Sequence, residues 1–410
     1  MRIAVVNNFF PPRPGGSSHL SDHLAREYAA AGHEVLVLTA TYGDAPREET
    51  RDGFRIVRIP AWILPKTRFA ANFDIAFTIS PTTRRTVYGL LDEFRPDVIH
   101  QHGQFFDLTW ITGAWARKHR VPTLLSIHTR LYSPNPLHNA IYAAGDFLLV
   151  KPLMWLHKPR LVVMDVLMDS YIKARYRGAY SGTVPIPVGI DSHHLRTGDG
   201  QAARADLGVG PDEPLILSIG HVIPQRNRVP LIRALPAILA RHPRAKVVII
   251  GTMYHPECMD LAAELGVTDA VIAPGAVPQA RVPDYLAAAQ LECHELDGQG
   301  FGTASLEALA VGTPVVAAIR PDNFPDIVLR DGEHLYLSAM VSPTDGRADP
   351  VSLAEVINGI LDDPVAARDR VREASHRLIE ERFDIKAVAT KHLETLATLV
   401  GGRGRTWQRT

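Results

Sequence analysis

Short apolar runs rich in β-branched residues alternate along this chain with longer amphipathic stretches. That alternation predicts βαβ units and parallel sheets covered on both faces. In the first half, strands are predicted over residues 2–7, 34–39, 54–59, 98–101 and 123–127. A helix is predicted from near Ser18 to Gly32, a good stop residue, and another over roughly 107–119. A second alternating series begins at Pro214. It predicts strands over 215–219, 246–251, 270–273, 291–294 and 314–318, with helices over 229–241, 257–265, 282–288 and 303–311. Between the two series lies the Pro- and Gly-bearing segment 184–191, followed by the polar stretch 196–204, and this is the expected joint. Residues 380–410 read as helical and then Gly/Arg-rich, with a loose final stretch. The fold class is therefore α/β, with two Rossmann-like halves. In that architecture a ligand sits in a cleft at the carboxyl ends of the strands.

Composition narrows the function. The chain has 410 residues, with 44 Lys+Arg against 44 Asp+Glu. That balance lacks the basic footprint of a nucleic-acid binder and leaves no acidic tail. Cys258 and Cys293 are the only cysteines, too few for a disulfide scaffold or a four-cysteine zinc site. No apolar run reaches the length of a membrane span. The first strand follows the opening Met1-Arg2 directly, so no signal peptide and a cytoplasmic location are expected. The stretch 147–160 mixes Leu and Val with Trp155, Lys151, Lys158 and Arg160. A membrane surface would fit it, but packing as a core helix is the expectation.

Five segments carry candidate chemistry. The first loop, NNFFPPRPGGSS (7–18), follows a strand and opens a helix. Gly15 and Gly16 let the backbone come close to a ligand, and a helix N-terminus favours negative charge. It is not G-x-G-x-x-G, so a dinucleotide site is weakly supported, and a tight strand-to-helix turn with no ligand is the alternative. DVIHQHG (97–103) sets His100 and His102 at a strand end. Their spacing would suit a metal, but no third ligand is evident nearby, and such a pair is more often structural or substrate-facing. SIHTR (126–130) ends a strand with His128 and Arg130. IGHVIPQRNR (219–228) follows the first strand of the second half. His221, Arg226 and Arg228 are donors suited to a diphosphate, or simply solvated surface groups. DGQGFGTASLEALAVGTP (297–314) is the strongest. A glycine loop runs into a helix near Thr303 whose amides can bind phosphate oxygens, and one turn on Glu307 can accept from a vicinal diol.

Taken together these motifs resemble the retaining glycosyltransferases of family 4, with the GT-B fold. The resemblance also covers AAAGHEVLVLT (29–39), IPVGID (186–191), APGAVPQARVPDYLAAAQ (273–290) and FGTASLEALAVGTPVVA (301–317), nearly the whole chain. It implies an acceptor domain over 1–187 and a donor domain over 188–380, facing across a cleft. Residues 381–410 would return to the first domain. It implies a nucleotide-diphosphate-sugar as co-substrate, with no further cofactor and no metal. His128, Arg226 and Gln299 would be the catalytic set. Gly15, Gly16, His221, Arg228, Val277, Gly300, Phe301, Gly302, Thr303 and Glu307 would bind the donor. Amides near 302–304 would hold the diphosphate and Glu307 the ribose. Phe10, His102 and Arg130 would meet the acceptor, which in this family ranges from lipids to small polar metabolites. The Arg-rich composition and the departures at His221 and Gln299 point to a small polar metabolite of specialised bacterial metabolism such as antibiotic biosynthesis. Acceptor contacts would come from 7–14, 63–73 and 131–138.

Two positions depart from the family pattern. Its G-R-x-x-x-x-K here has His221 and Arg226, and its E-x7-E has Gln299 before Glu307. The cation is kept and one carboxylate is lost, which bears on the donor sugar. No D-x-D pair is identifiable at the cleft. The expected chemistry is metal-independent front-face transfer, with Asp297 and Glu295 read as solvated loop carboxylates. The competing readings are a lipid-acceptor transferase at a membrane surface, a weakly catalytic sugar-nucleotide binder, and a nicotinamide-dependent oxidoreductase, whose fingerprint is missing. A homodimer is compatible with all of these.

Overall fold

A computed structural model of the chain describes residues 1–13, 15–64, 75–131, 135–224, 226–298, 300–342 and 346–405. The chain divides into two compact units, Met1–Gly189 with Ile385–Thr410, and Ile190–Asp384.

The first unit runs β1 (Arg2–Asn7), α1 (Gly16–Ala30), β2 (Glu34–Ala40), β3 (Glu48–Arg51), β4 (Phe54–Ile59), β5 (Trp62–Leu64), β6 (Ile75–Phe77), α2 (Thr83–Phe94), β7 (Val98–His102), α3 (Asp107–His119) and β8 (Thr123–Ser126). It continues with α4 (Pro136–Gly145), a π-helical turn (Asp146–Val150), α5 (Lys151–His157), β9 (Arg160–Val163), α6 (Val166–Tyr176) and β10 (Gly182–Pro185). The second unit holds α7 (Gly200–Leu207), β11 (Leu215–Ile219), α8 (Val229–Arg241), β12 (Lys246–Ile250), α9 (Glu257–Glu264), β13 (Val271–Gly275), α10 (Val282–Ala288), β14 (Leu291–Glu292), α11 (Thr303–Val311), β15 (Val316–Ala317), β16 (Tyr336–Leu337), α12 (Pro350–Asp362) and α13 (Pro364–Leu378). A last helix, α14 (Ile385–Arg405), belongs to the first unit.

The first sheet has the order β10-β9-β8-β7-β1-β2-β4-β3. It is parallel except at its edge, where β3 runs antiparallel to β4. Period-two alternation sorts the core. Ile3 and Val5 of β1 pack with Leu20, Leu24 and Tyr28 of α1 and with Val388 and Leu396 of α14. Ala4 and Val6 face the other way, onto Val87 and Leu91 of α2 and Leu108 and Trp115 of α3. Both faces are thus covered, which explains why β1 is apolar from Ile3 to Val6 without alternation.

The second sheet, β13-β12-β11-β14, is parallel. Ile216, Val247 and Ile249 pack with Leu231, Leu235 and Ile238 of α8 and with Leu353 and Ile357 of α12. The ends of β11 and β12 come very close. A side chain on Gly251, at φ +137°, would meet the Gly220 carbonyl oxygen at 2.4 Å. Only glycine fits there.

One expectation fails. The stretch 147–160 is not a packed core helix. Of the helical run that begins at Pro136, only Asp146, Val150 and Met154 are buried, and Phe147, Leu148, Leu149 and Trp155 are exposed. Among the described residues no helix is long and apolar enough to cross a membrane.

Candidate functional site

In a doubly wound sheet the strand order reverses beside the first strand, and the loops on either side of that reversal splay apart. In the first unit the reversal lies between β1 and β7, and in the second between β11 and β14. The expected site residues lie at the carboxyl ends of the strands: on the loops after β1, β8, β11, β13 and β14, at the end of β7 and in the first turns of α11.

In the first unit Asn7 pins its loop. Its side-chain amide donates to the Ser17 carbonyl (3.1 Å) and to Ser21 Oγ (3.0 Å). Gly15, at φ +145°, precedes α1, whose first turn no side chain caps. Gly15 and Gly16 are both exposed, with open space around their Cα atoms. Phe10 does not belong to an acceptor surface. It is 2% exposed and packs edge-on against Phe54 in the core, because its loop folds back over the sheet. His102 is also fully buried and reaches outward only through His128. His102 Nδ1 and His128 Nε2 are 2.9 Å apart, and the rings stack. His128 itself is half-buried, as is Arg130. Burial, followed by the nearby His392, pushes His128 down to about 4. Burial likewise drives His100 and His102 well below the ordinary histidine range. Near neutral pH His128 is therefore an uncharged group, able to hydrogen-bond a hydroxyl but not to supply positive charge.

In the second unit the loop after β11 holds three cationic candidates in three different states. His221 is exposed. Its Nδ1 accepts from the Thr252 amide (3.1 Å), and burial and the nearby Arg226 charge lower its pKa. Arg226 is exposed, and its guanidinium makes no hydrogen bond or ion pair among the described residues. Its backbone is fixed, with its amide donating to the Ile223 carbonyl at 2.9 Å. Arg228 is not a solvent-facing phosphate donor. It is completely buried, and its guanidinium donates to the carbonyls of Arg226 (2.6 Å) and Gly220 (3.1 Å). It braces the loop that presents Arg226.

The loop after β14 reaches α11. Gly300, at φ +135°, and Phe301 are buried, and Phe301 packs edge-on to Phe324. Gln299 lies outside the described residues. Gly302 precedes α11, and no side chain caps that helix, so the amides of Thr303, Ala304 and Ser305 lack intrahelical partners. The Gly302 amide is different: it donates to Glu295 Oε1 at 2.6 Å. That amide is spent inside the protein, so the expected phosphate cradle begins one residue later. Thr303 is exposed. Glu307, one turn on, is half-buried, and burial outweighs the nearby His294 charge to push it up to about 7. Val277 is half-buried in the loop after β13.

The largest feature missed from sequence lies beneath this loop. Glu295 is a buried ion-pair member, not a solvated carboxylate. His294 Nδ1 lies 2.5 Å from Glu292 Oε1, and its Nε2 lies 3.0 Å from Glu295 Oε1. Ser305 Oγ donates to Glu292 Oε2 (2.9 Å). Burial alone would lower His294, but the two carboxylates outweigh it and raise it to about 9. Asp297 is likewise half-buried, and burial lifts its carboxyl to about 7. The only sequence signal was a histidine between acidic residues at a strand end. Among the described residues no three His, Cys, Asp or Glu side chains are grouped as metal ligands would be.

Residues 15–162 match the family described as glycosyl transferase 4-like domain, and residues 199–378 match glycosyl transferases group 1. The chain is 24% identical over 408 residues to an alpha-monoglucosyldiacylglycerol synthase of Streptococcus pneumoniae, covering 94% of this chain and 83% of the relative. It is 30% identical over 327 residues to D-inositol 3-phosphate glycosyltransferase 2 of Catenulispora acidiphila, covering 72% of each. Among solved structures, a sucrose-phosphate synthase from Thermosynechococcus elongatus superposes with a TM-score of 0.70 at 20% identity, over 98% of this chain and 100% of that one. Anabaena Alr3699/HepE in complex with UDP-glucose gives 0.70 at 18% identity, over 97% and 100%. The two Rossmann-like units, the glycine loop opening α11 and these matches along nearly the whole length lead to one assignment: the chain belongs to glycosyltransferase family 4 and is a glycosyltransferase of the GT-B fold.

Proposed function

We propose that the protein transfers a sugar from a nucleotide-diphosphate-sugar to a hydroxyl of a small polar acceptor, with retention and without a metal. One observation carries the reading. The guanidinium of Arg226, unpartnered among the described residues, the uncapped start of α11 and the half-buried Glu307 one turn into that helix all follow the two strands, β11 and β14, that flank the strand-order reversal of the second unit. That is a site for a diphosphate joined to a ribose. The C–O bond between the sugar and the β-phosphate breaks, and negative charge builds on the leaving oxygen. Arg226 and the α11 amides stabilise it, and no metal is needed for that. The acceptor oxygen attacks from the same face, and its proton goes to the departing phosphate. His128, uncharged, orients a sugar hydroxyl.

A polar acceptor is supported by the relatives named D-inositol 3-phosphate glycosyltransferase. A second reading, a hydroxyl carried by a lipid, is favoured by the exposed apolar helix of the first unit.

The test is a thermal-shift screen of nucleoside diphosphates and their sugars, with and without EDTA. One nucleotide should raise the melting temperature, and its sugar should raise it further. No stabilisation by any nucleotide would remove the donor site, and stabilisation lost in EDTA would remove metal independence.

Glu307 adds a proton-linked prediction. A carboxylate accepting from ribose hydroxyls must be ionised, yet in the free protein burial holds it up at about 7. Donor binding at neutral pH should therefore release a proton, and affinity should fall by up to about tenfold per pH unit below that point. Asp297 titrates in the same range, so Glu307→Gln is the separating variant. It should bind weakly and without that pH slope. A flat wild-type profile in calorimetry would take Glu307 off the ribose.

A further inference from the structure

We propose that the helical run formed by α4, the π-helical turn and α5 docks the protein on an anionic lipid surface. This surface is independent of the donor site and holds whichever acceptor is used.

The run is anchored to the first unit along one narrow stripe, Asp146, Val150 and Met154. α4 has no buried residue at all. Elsewhere the helix turns large apolar side chains outward: Leu137 is 67% exposed, Phe147 62%, Leu148 73% and Trp155 56%, with Ile141 and Leu149 beside them. Scattered apolar residues on a surface need no explanation, but a run of them on one helix does. Pro152 lacks the amide that would bond back to Leu148, and the π-helical turn just before it is the local response.

Charge identifies the occupant. The overall chain is neutral, but this stretch is not. Its one carboxylate, Asp146, is buried and receives hydrogen bonds from Tyr171 (2.8 Å) and Tyr176 (2.5 Å). The charges that remain are Lys151 and, at the end of α5, Lys158. Lys151 Nζ lies 5.3 Å from the Phe147 ring centroid, and Lys158 Nζ lies 5.7 Å from that of Trp155. Cations held against exposed aromatic rings suit the headgroup boundary, where ring and ammonium meet the membrane together. A second copy of the chain fits less well, because a two-fold contact through this face would oppose like charges.

The experiment uses the full chain and vesicle flotation. Vesicles of phosphatidylcholine alone are compared with vesicles that also contain phosphatidylglycerol. Wild type should float with the anionic vesicles and lose binding as salt is raised. The triple variant Phe147→Ser, Leu148→Ser, Trp155→Ser should partition at least tenfold less. The double variant Lys151→Glu, Lys158→Glu should lose the preference for anionic lipid. Neither set of side chains is buried, so melting temperature and nucleotide-induced stabilisation should match wild type. That control separates failure of docking from failure of the fold or of the donor site. Wild type that stays with the soluble fraction would overturn the proposal. So would equal flotation of wild type and triple variant, or a wild-type dimer that the triple variant abolishes in the absence of vesicle binding.

Discussion

Replacing Arg226 with alanine should lower kcat/KM by about a hundred- to a thousandfold while leaving the melting temperature unchanged. The size follows from what one well-aimed donor to a developing oxyanion contributes, about 3–4 kcal/mol of barrier. The unchanged stability follows from geometry. Arg226 is exposed and its guanidinium has no partner among the described residues, so truncation strands nothing. Its charge nevertheless reaches the glycine loop, since it helps to hold the Glu295 carboxyl low. Arg226→Lys keeps a point charge but loses the planar fork and should recover most of the rate. Arg228→Ala should behave in the opposite way. It removes a buried guanidinium bonded to two carbonyls of its own loop, so folding stability falls first. Steady-state kinetics and melting curves on the three variants separate a group that meets substrate from one that positions it. Near wild-type turnover in Arg226→Ala would take it out of the site.

Those two arginines also mark the limit of what the sequence makes legible. Alternation of apolar runs located β1, β4, α3, β11, α8, α10 and α11 to the residue or nearly so, because both sheets are buried on two faces and the period is strong. The edge strand β3 was not legible. It reads EETR, has no apolar stripe, and exists because β4 offers it an unpaired edge. The same limit applies to charge. Two arginines two residues apart are equivalent on paper, and only the turn from Ile223 to Arg226 sends one outward and one inward. Phe10 misled for a related reason: an aromatic in a loop beside a ligand-binding glycine pair looks available until the loop folds over the sheet. The helix at 147–157 erred the other way, since apolar composition was read as burial while the topology left it only a narrow stripe to bury.

The second large effect concerns stability, and it tests whether the network under α11 is structural. His294→Ala should destabilise the protein by about 3–5 kcal/mol, the cost of removing one partner from a buried ion pair. Glu292, His294 and Glu295 are all at most 3% exposed. Without the imidazolium, two buried carboxylates are left to Arg228 and, for Glu295, the more distant Arg226, and the excess negative charge lies beside the α11 amides where a diphosphate would bind. Stability and donor affinity should therefore fall together. The pH dependence carries a signature. Burial would raise Glu295, but His294 outweighs it and holds it at about 2, below its ordinary 4.5. Its share of stability is present above 4.5 and is lost as pH falls from there toward 2. His294 is raised to about 9 from 6.5, so its share is complete below 6.5 and is lost as pH rises through 9. Wild-type stability should accordingly slope down at both ends. His294→Gln combined with Glu295→Gln keeps an acceptor for the Gly302 amide and removes one charge of each sign. That double variant should flatten both slopes and recover much of the stability lost by His294→Ala. Denaturant unfolding across pH reads all three proteins, and slopes in the double variant as steep as those of wild type would mean that the titrating pair lies elsewhere.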